Sequence, residues 1–229
     1  MNYSSWEMLQ KQIIQCRRCP RLVRFRETVP ISNSFKGETC WRKPVPGFGD
    51  PNAYLCIVGL APSAQGGNRT GRIFTADASA QFLMKGLYAK GFANQPFSHD
   101  RKDGLLLKGC YITAAVKCVP PKNSPMAKER DNCFEYLVAE LFFLKKVSAI
   151  LALGHFAFRS ILHYFVYTGA SRDAVRSCRF SHGARYALPS MPILYASFHP
   201  SPQNTNTGKL TEKMFVDLLH TIKKKRSNG

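Results

Sequence analysis

Four of the eight cysteines in this 229-residue chain are spaced as metal ligands. Cys16 and Cys19 form a C-x-x-C unit in a basic context, and Cys118 and Cys133 lie 15 residues apart on either side of a Pro-rich turn. Four thiolates bind zinc or an iron–sulfur cluster, and spacing alone does not decide between them. The remaining cysteines, Cys40, Cys56, Cys110 and Cys178, are scattered; Cys56 and Cys110 fall in strand-like runs, where a small buried hydrophobe is the expected role. A second concentration of chemistry lies in Leu55–Asp77, LCIVGLAPSAQGGNRTGRIFTAD, where an apolar run breaks at Gly59 into a loop dense in Gly, Ser, Asn and Thr. Gly66, Gly67 and Gly71 permit positive φ and close approach of backbone N–H groups to a partner. The loop resembles a phosphate cradle. It lacks, however, both the Gly-Lys-Ser/Thr of a Walker motif and the G-x-G-x-x-G of a dinucleotide site.

Lys and Arg outnumber Asp and Glu by 33 to 14, a formal charge of +19. That imbalance favours a polyanionic partner, nucleic acid being the commonest. No apolar run approaches the ~20 residues of a membrane span. The N-terminal MNYSSWEMLQKQ has no apolar signal core, so an intracellular, cytoplasmic protein is expected. In that compartment the cysteines argue for metal or buried thiols rather than a disulfide framework. The length suits one large domain over 1–229 with a full core, carrying a Pro- and Gly-rich basic arm over 1–51.

Alternating strands and helices must position these groups. Trp6, Leu9, Ile13 and Ile14 predict a helix over 4–15; Pro20–Pro51 shows no sustained periodicity and reads as an extended, loop-rich arm. Strands are predicted at Leu55–Gly59, Gly109–Val116, Val147–Leu153 and Met191–Ser197. Helices are predicted at Ser79–Lys90, Ala127–Lys145, onward from Gly154 to about Tyr167, and near Thr211–Lys225. Residues 170–189 read as irregular with a short hairpin. The fold expected is α/β, a three-layer sandwich with a central, mostly parallel four-stranded sheet and helices on both faces. Ligands in such sheets bind beyond the carboxyl ends of the strands. Three loops leave strands on that edge: Gly59–Asp77, Cys118–Pro125 and His199–Gly208.

Taken in order, GLAPSAQGGNRTGRIFTAD, VKCVPPKNSP and FHPSPQNTNTG, together with the four spaced cysteines, resemble the signature segments of the uracil-DNA glycosylase superfamily. The resemblance is strongest to its family 5, the iron–sulfur-containing uracil-DNA glycosylases, and covers nearly the whole chain. It implies a [4Fe–4S] cluster of structural role on Cys16, Cys19, Cys118 and Cys133. It also implies hydrolysis of the N-glycosidic bond of uracil flipped out of DNA, leaving an abasic site as the first step of base excision repair. On the matching positions, His199 would donate toward the base carbonyl as charge develops there. Leu60 and Ala61 would add backbone donors, and Phe74 would stack on the extruded base. Asp77 would position water or stabilise the cationic sugar, with a helix N-cap as its other reading. Asn123 would contact the base or the water, with plain turn chemistry as its other reading. Ala61 stands where many superfamily members carry Asp or Asn, which is itself the family-5 pattern. Ala114 stands where related families carry a uracil-reading Asn, which extends the expected substrates to hypoxanthine and other deaminated bases. Arg69, Ser201, Asn204 and Lys209 would contact DNA phosphates, and Gln203 sits at the position of the residue that fills the vacated stack. A monomer is expected, with a sliding clamp or another repair protein as a further partner. Two other readings of the residues are a non-catalytic, metal-stabilised nucleic-acid binding module and a small-molecule nucleotide hydrolase or transferase.

Overall fold

The computed structural model describes residues 3–227. Helix α1 (Trp6–Gln15) is capped by Ser5, whose Oγ accepts the Met8 amide at 3.2 Å, and buries Leu9 and Ile13 against Tyr136 and Ala139. The stretch expected to be extended after Pro20 opens instead with a second helix, α2 (Pro20–Thr28). Proline at its first position presets φ for the helix start, and Leu22, Val23 and Arg26 form its buried stripe. One of the three buried positions is an arginine, which hides the apolar periodicity. There follow β1 (Phe48–Gly49), β2 (Leu55–Gly59), α3 (Gly67–Thr70), α4 (Ala78–Ala89), β3 (Cys110–Ala114), α5 (Ala127–Phe143) and β4 (Ala149–Leu153). The chain is completed by α6 (His155–Tyr167), α7 (Arg172–Arg176), β5 (Arg185–Tyr186), β6 (Ile193–Ser197), α8 (Pro202–Asn206) and α9 (Glu212–Ser227).

The sheet runs β1-β3-β2-β4-β6-β5. Its inner four strands are parallel, as their apolar runs predict; β2, β3 and β4 are buried along their whole length. Strands β1 and β5 add antiparallel edges of two residues each; among the described residues the hairpin expected within 170–189 does not form, and β5 pairs instead with β6 beyond it. Edges that short offer little to pair with another chain. Alternate residues face opposite layers. Ile57, Ile112, Leu151 and Tyr195 pack with Leu83 and Leu87 of α4 and Phe215 and Leu219 of α9. Cys56, Val58, Ile150 and Leu194 pack with Leu141 of α5 and Ile161 and Phe165 of α6. Cys56 and Cys110 are both core residues whose thiols burial pushes up, as a purely structural role requires.

The register sets the site. Gly59 pairs with Ala114, Val58 with Ala152 and Leu153 with Ser197, so the inner strands end level with one another. The segments that follow β2, β3 and β6 therefore leave the sheet together.

Candidate active site

Those segments enclose a cavity of about 430 Å³, within the ~300–1,000 Å³ of small-ligand sites. Leu60, Ala61, Ser63, Phe74 and Asp77 reach it from the segment after β2, Asn123 from the turn after β3, and His199, Ser201 and Gln203 from the segment after β6. Residues more than a hundred positions apart in sequence thus share one wall.

Asp77 is the N-cap of α4: its Oδ1 accepts the Ala80 amide at 2.8 Å. Its second oxygen, Oδ2, accepts the Ser63 hydroxyl at 2.5 Å. Ser63 also accepts the Gly66 amide, at 3.2 Å. Sequence reasoning passed over Ser63; its signal is a Ser three residues ahead of the first loop glycine, the spacing of a side-chain-closed turn. Gly66 is needed for space rather than for a left-handed backbone, since a Cβ there would lie 2.5 Å from Ser63 Oγ and 2.7 Å from Asp77 Oδ2. Of the three glycines free to take positive φ, Gly71 does so, at 78°. The strain falls on other residues: Phe74 has φ 51° and Ala76 φ 58°, each costing on the order of 1–3 kcal/mol. The unusual backbone turns the Phe74 ring over Gly59, where a Cβ would come within 2.9 Å of it.

His199 is partly buried beside the cavity, its ring 6.1 Å from that of Phe74 with 29° between their planes. Burial pushes its pKa below the usual imidazole value while Asp77 pulls it up, and the net shift is downward. The ring is therefore neutral near pH 7, with one N–H to donate. Asn204 holds the turn, donating from Nδ2 to the His199 carbonyl at 2.8 Å. Asn123 is exposed and sits at φ 52° in a short 3-10 turn, Pro121–Asn123, capped by Pro120; β3 itself stops at Ala114, ahead of the prolines expected to end it.

The residues expected to meet DNA divide. Ser201 and Gln203 line the cavity mouth, and Lys209 lies over the Phe198 ring at 4.8 Å. Arg69 is buried, lies 3.7 Å over the Phe35 ring, pairs with Glu38 and donates to the Gln65 carbonyl at 2.9 Å. Its guanidinium is thus engaged by the protein itself. Asn204 is likewise occupied, by the His199 turn.

Cys16, Cys19, Cys118 and Cys133 line a second, separate cavity under α2, with Arg26 and Tyr136. Among the described residues no three His, Cys, Asp or Glu side chains group as they would around a single ion. The donor chemistry nonetheless fits thiolate ligands. Arg26 Nη1 donates to Cys118 Sγ at 3.1 Å, Asn132 Nδ2 to Cys19 Sγ at 3.4 Å and the Lys117 amide to Cys133 Sγ at 3.5 Å. Arg26 is itself buried, and its Nε has no acceptor among the described residues, so a cation stands there with no carboxylate closer than Glu27 at 3.8 Å. Burial pushes the free thiols up, to about 11 for Cys118, where Arg26 pulls the other way, and to about 12 for Cys133. Without a metal these thiols stay protonated near pH 7. The arm also backs the site loop: Asn68 donates to the Arg26 carbonyl at 3.0 Å, and the Trp41 and Arg42 amides donate to the carbonyls of Arg69 and Asn68.

Comparison with known proteins agrees with this geometry. The profile of the Uracil DNA glycosylase superfamily matches residues 46–223. Over 219 residues the chain is 45% identical to the Type-5 uracil-DNA glycosylase of Thermus thermophilus, covering 95% of this chain and 97% of that protein. It is 45% identical over 208 residues to the Type-5 uracil-DNA glycosylase of Pyrobaculum aerophilum, covering 91% and 88%. With that of Mycobacterium leprae it shares 43% over 219 residues, covering 94% and 93%. Such identity, sustained over most of both chains and joined to a cavity walled by all three signature segments, makes this chain a member of the type-5 uracil-DNA glycosylases, enzymes of the uracil-DNA glycosylase superfamily.

Proposed function

We propose that the cavity takes a uracil swung out of DNA and that the chain hydrolyses its N-glycosidic bond. The observation that carries the reading is the meeting of Phe74, Asp77, Asn123 and His199, from three separate segments, on one cavity. As the bond stretches, the base leaves as an anion and the sugar becomes cationic. Phe74 offers a ring to stack on. His199, neutral and half out of water, donates its N–H to the base carbonyl as negative charge gathers there, and costs little reorganisation because Asn204 already fixes its turn. Asp77 faces the sugar with a carboxylate held at both oxygens, placed to orient water or to balance the cationic sugar. Asn123, exposed and lining the same cavity, is the polar group for the base edge or the water.

Strand β3 bears on which bases enter. Ala114 at its end is buried and presents no amide to the cavity. A site reading the pyrimidine edge without that amide discriminates less, and hypoxanthine and other deaminated bases join uracil as substrates. Cys16, Cys19, Cys118 and Cys133 would hold a [4Fe–4S] cluster, which when bound supplies covalent ties between the arm and the β3 side of the sheet. Ser201, Gln203 and Lys209 remain the phosphate and stack contacts.

The test is a duplex carrying one labelled uracil, incubated with the protein and then treated with alkali. Cleavage at that position supports the reading; tight binding with no abasic product refutes it. Parallel duplexes with hypoxanthine, xanthine, or thymine opposite guanine define the range of bases.

A further inference from the structure

Arg72 lies two residues before Phe74 and reaches away from the cavity into a buried polar cluster. Its Nη2 donates to Asp103 Oδ2 at 2.6 Å and to Ser98 Oγ at 2.8 Å, and its Nε donates to Thr75 Oγ1 at 3.1 Å. The paired side chains are 7% and 6% exposed. Thr75 and Ser98 share a hydroxyl–hydroxyl bond of 2.8 Å, and the Ala76 amide donates to the Ser98 carbonyl at 2.8 Å. Asp103 also closes its own loop, accepting the His99 amide at 2.6 Å and the Leu105 amide at 3.0 Å. Burial pushes the Asp103 carboxyl up, but Arg72 and those two amides outweigh it and hold its pKa down to about 2. None of Arg72, Thr75, Ser98 and Asp103 lines the cavity.

The cluster grips a segment with reason to move. Phe74 and Ala76 flank Thr75 with φ of 51° and 58°, a conformation that residues with a Cβ leave unless their surroundings hold them. Every side-chain or backbone polar contact of Thr75 and Ala76 named above ends on Arg72 or on Ser98. We propose that Arg72 and Asp103 are positioning residues for base excision, their ion pair holding the Phe74–Asp77 segment in the strained shape that aims ring and carboxylate into the cavity. This rests on the roles proposed for Phe74 and Asp77.

The experiment compares Asp103→Asn with the unaltered enzyme in three measurements: single-turnover excision from a uracil duplex, affinity for the same duplex, and hydrogen exchange at the Ala76 amide. Excision is expected to fall roughly 10- to 100-fold, the scale of a ~1 Å misplacement, with duplex affinity unchanged and Ala76 exchange faster. Adding Ala76→Gly to Asp103→Asn should restore part of the rate, because glycine holds positive φ without a Cβ penalty; a merely structural lesion would be worsened by the added glycine. Ser98→Ala, which removes only one hydroxyl, should show the same effects in smaller degree if Asp103→Asn folds poorly. Unchanged Ala76 exchange, or an unchanged excision rate in Asp103→Asn, overturns the proposal while leaving the roles of Phe74 and Asp77 standing. Full rates in Phe74→Ala and Asp77→Asn would remove those roles, and the proposal with them.

Discussion

Replacing Glu140 by alanine should come close to unfolding this protein, although Glu140 lies outside the active-site cavity. Its carboxylate is fully buried and pairs with Lys117 Nζ at 2.6 Å, the lysine being 1% exposed. All three ammonium protons are placed: on Glu140 Oε2, on Thr113 Oγ1 at 2.6 Å and on the Ala114 carbonyl at 2.9 Å. The second carboxylate oxygen accepts the Gly47 amide at 3.0 Å. Alanine strips the counter-charge from a dry ammonium, which costs ~3–5 kcal/mol, and orphans a buried amide, which costs ~1–3 kcal/mol. The total rivals the ~5–15 kcal/mol that stabilises a typical domain. Urea denaturation followed by circular dichroism measures it as a lowered midpoint at unchanged slope. The decisive comparison is Lys117→Met with Glu140→Leu in one chain, which removes both charges and should recover the ~3–5 kcal/mol of the stranded ion, leaving the ~1–3 kcal/mol cost of the orphaned Gly47 amide. A single variant as stable as the parent, or a double variant as damaged as the single one, would refute the reasoning. Lys117 also holds the Ala114 carbonyl at the end of β3 and is the residue before Cys118, so on the proposed ligand set the single variant should also lose iron during purification.

Three further outcomes are expected. His199→Ala should slow base release by ~10²–10³, the effect of losing one donor to a developing oxyanion, while leaving duplex affinity nearly intact; equal losses in both would count against the role. Because burial lowers the folded-state pKa of His199 below 6.5, the unfolded chain binds more protons between those values. The stability that His199 contributes is therefore present above pH 6.5 and drains as pH falls below it, so urea midpoints at pH 7.5 and 5.5 should differ less in His199→Gln than in the parent. Cys133→Ser should abolish bound iron and broad visible absorption near ~400 nm and lower the urea midpoint; retained iron at full stoichiometry would remove Cys133 from the ligand set.

Much of this fold was legible in the chain because parallel strands buried on both faces announce themselves as uninterrupted apolar runs. Ile57, Ile112, Ile150 and Leu194 all lie in such runs, and their alternation with helical stretches left few topologies open. The arm was less legible. Its helix α2 buries a guanidinium, Arg26, on sulfur and backbone acceptors beside Leu22 and Val23, so the charge interrupts the apolar periodicity. The short edge strands were hidden for another reason: two residues carry no period. In the site, topology was enough to bring three loops to one edge, and the resemblance singled out Phe74, Asp77, Asn123 and His199 on them. The partners of these groups could not be read. Nothing in the sequence says that Ser63 meets Asp77, that Arg69 folds back on Glu38 and Phe35, or that Asp103 answers Arg72. Those are contacts between loops, and loops carry no repeat from which to infer a neighbour.

Capping a helix and serving the reaction, the two readings of Asp77, are not rivals in this geometry. A cap needs one carboxylate oxygen on an amide of the first turn, and Ala80 supplies it at 2.8 Å. Reaction needs a carboxylate whose direction is fixed before the base arrives, and the cap fixes it, with Ser63 holding the other oxygen. An ionised carboxyl accepts about four hydrogen bonds, so two internal ones leave capacity for water or for the cationic sugar on the cavity side. Asparagine caps a helix as well as aspartate does but carries no charge, so Asp77→Asn separates the two duties where Asp77→Ala removes both. A slow but fully stable Asp77→Asn enzyme would show that the charge, and not the cap, is what the chemistry uses.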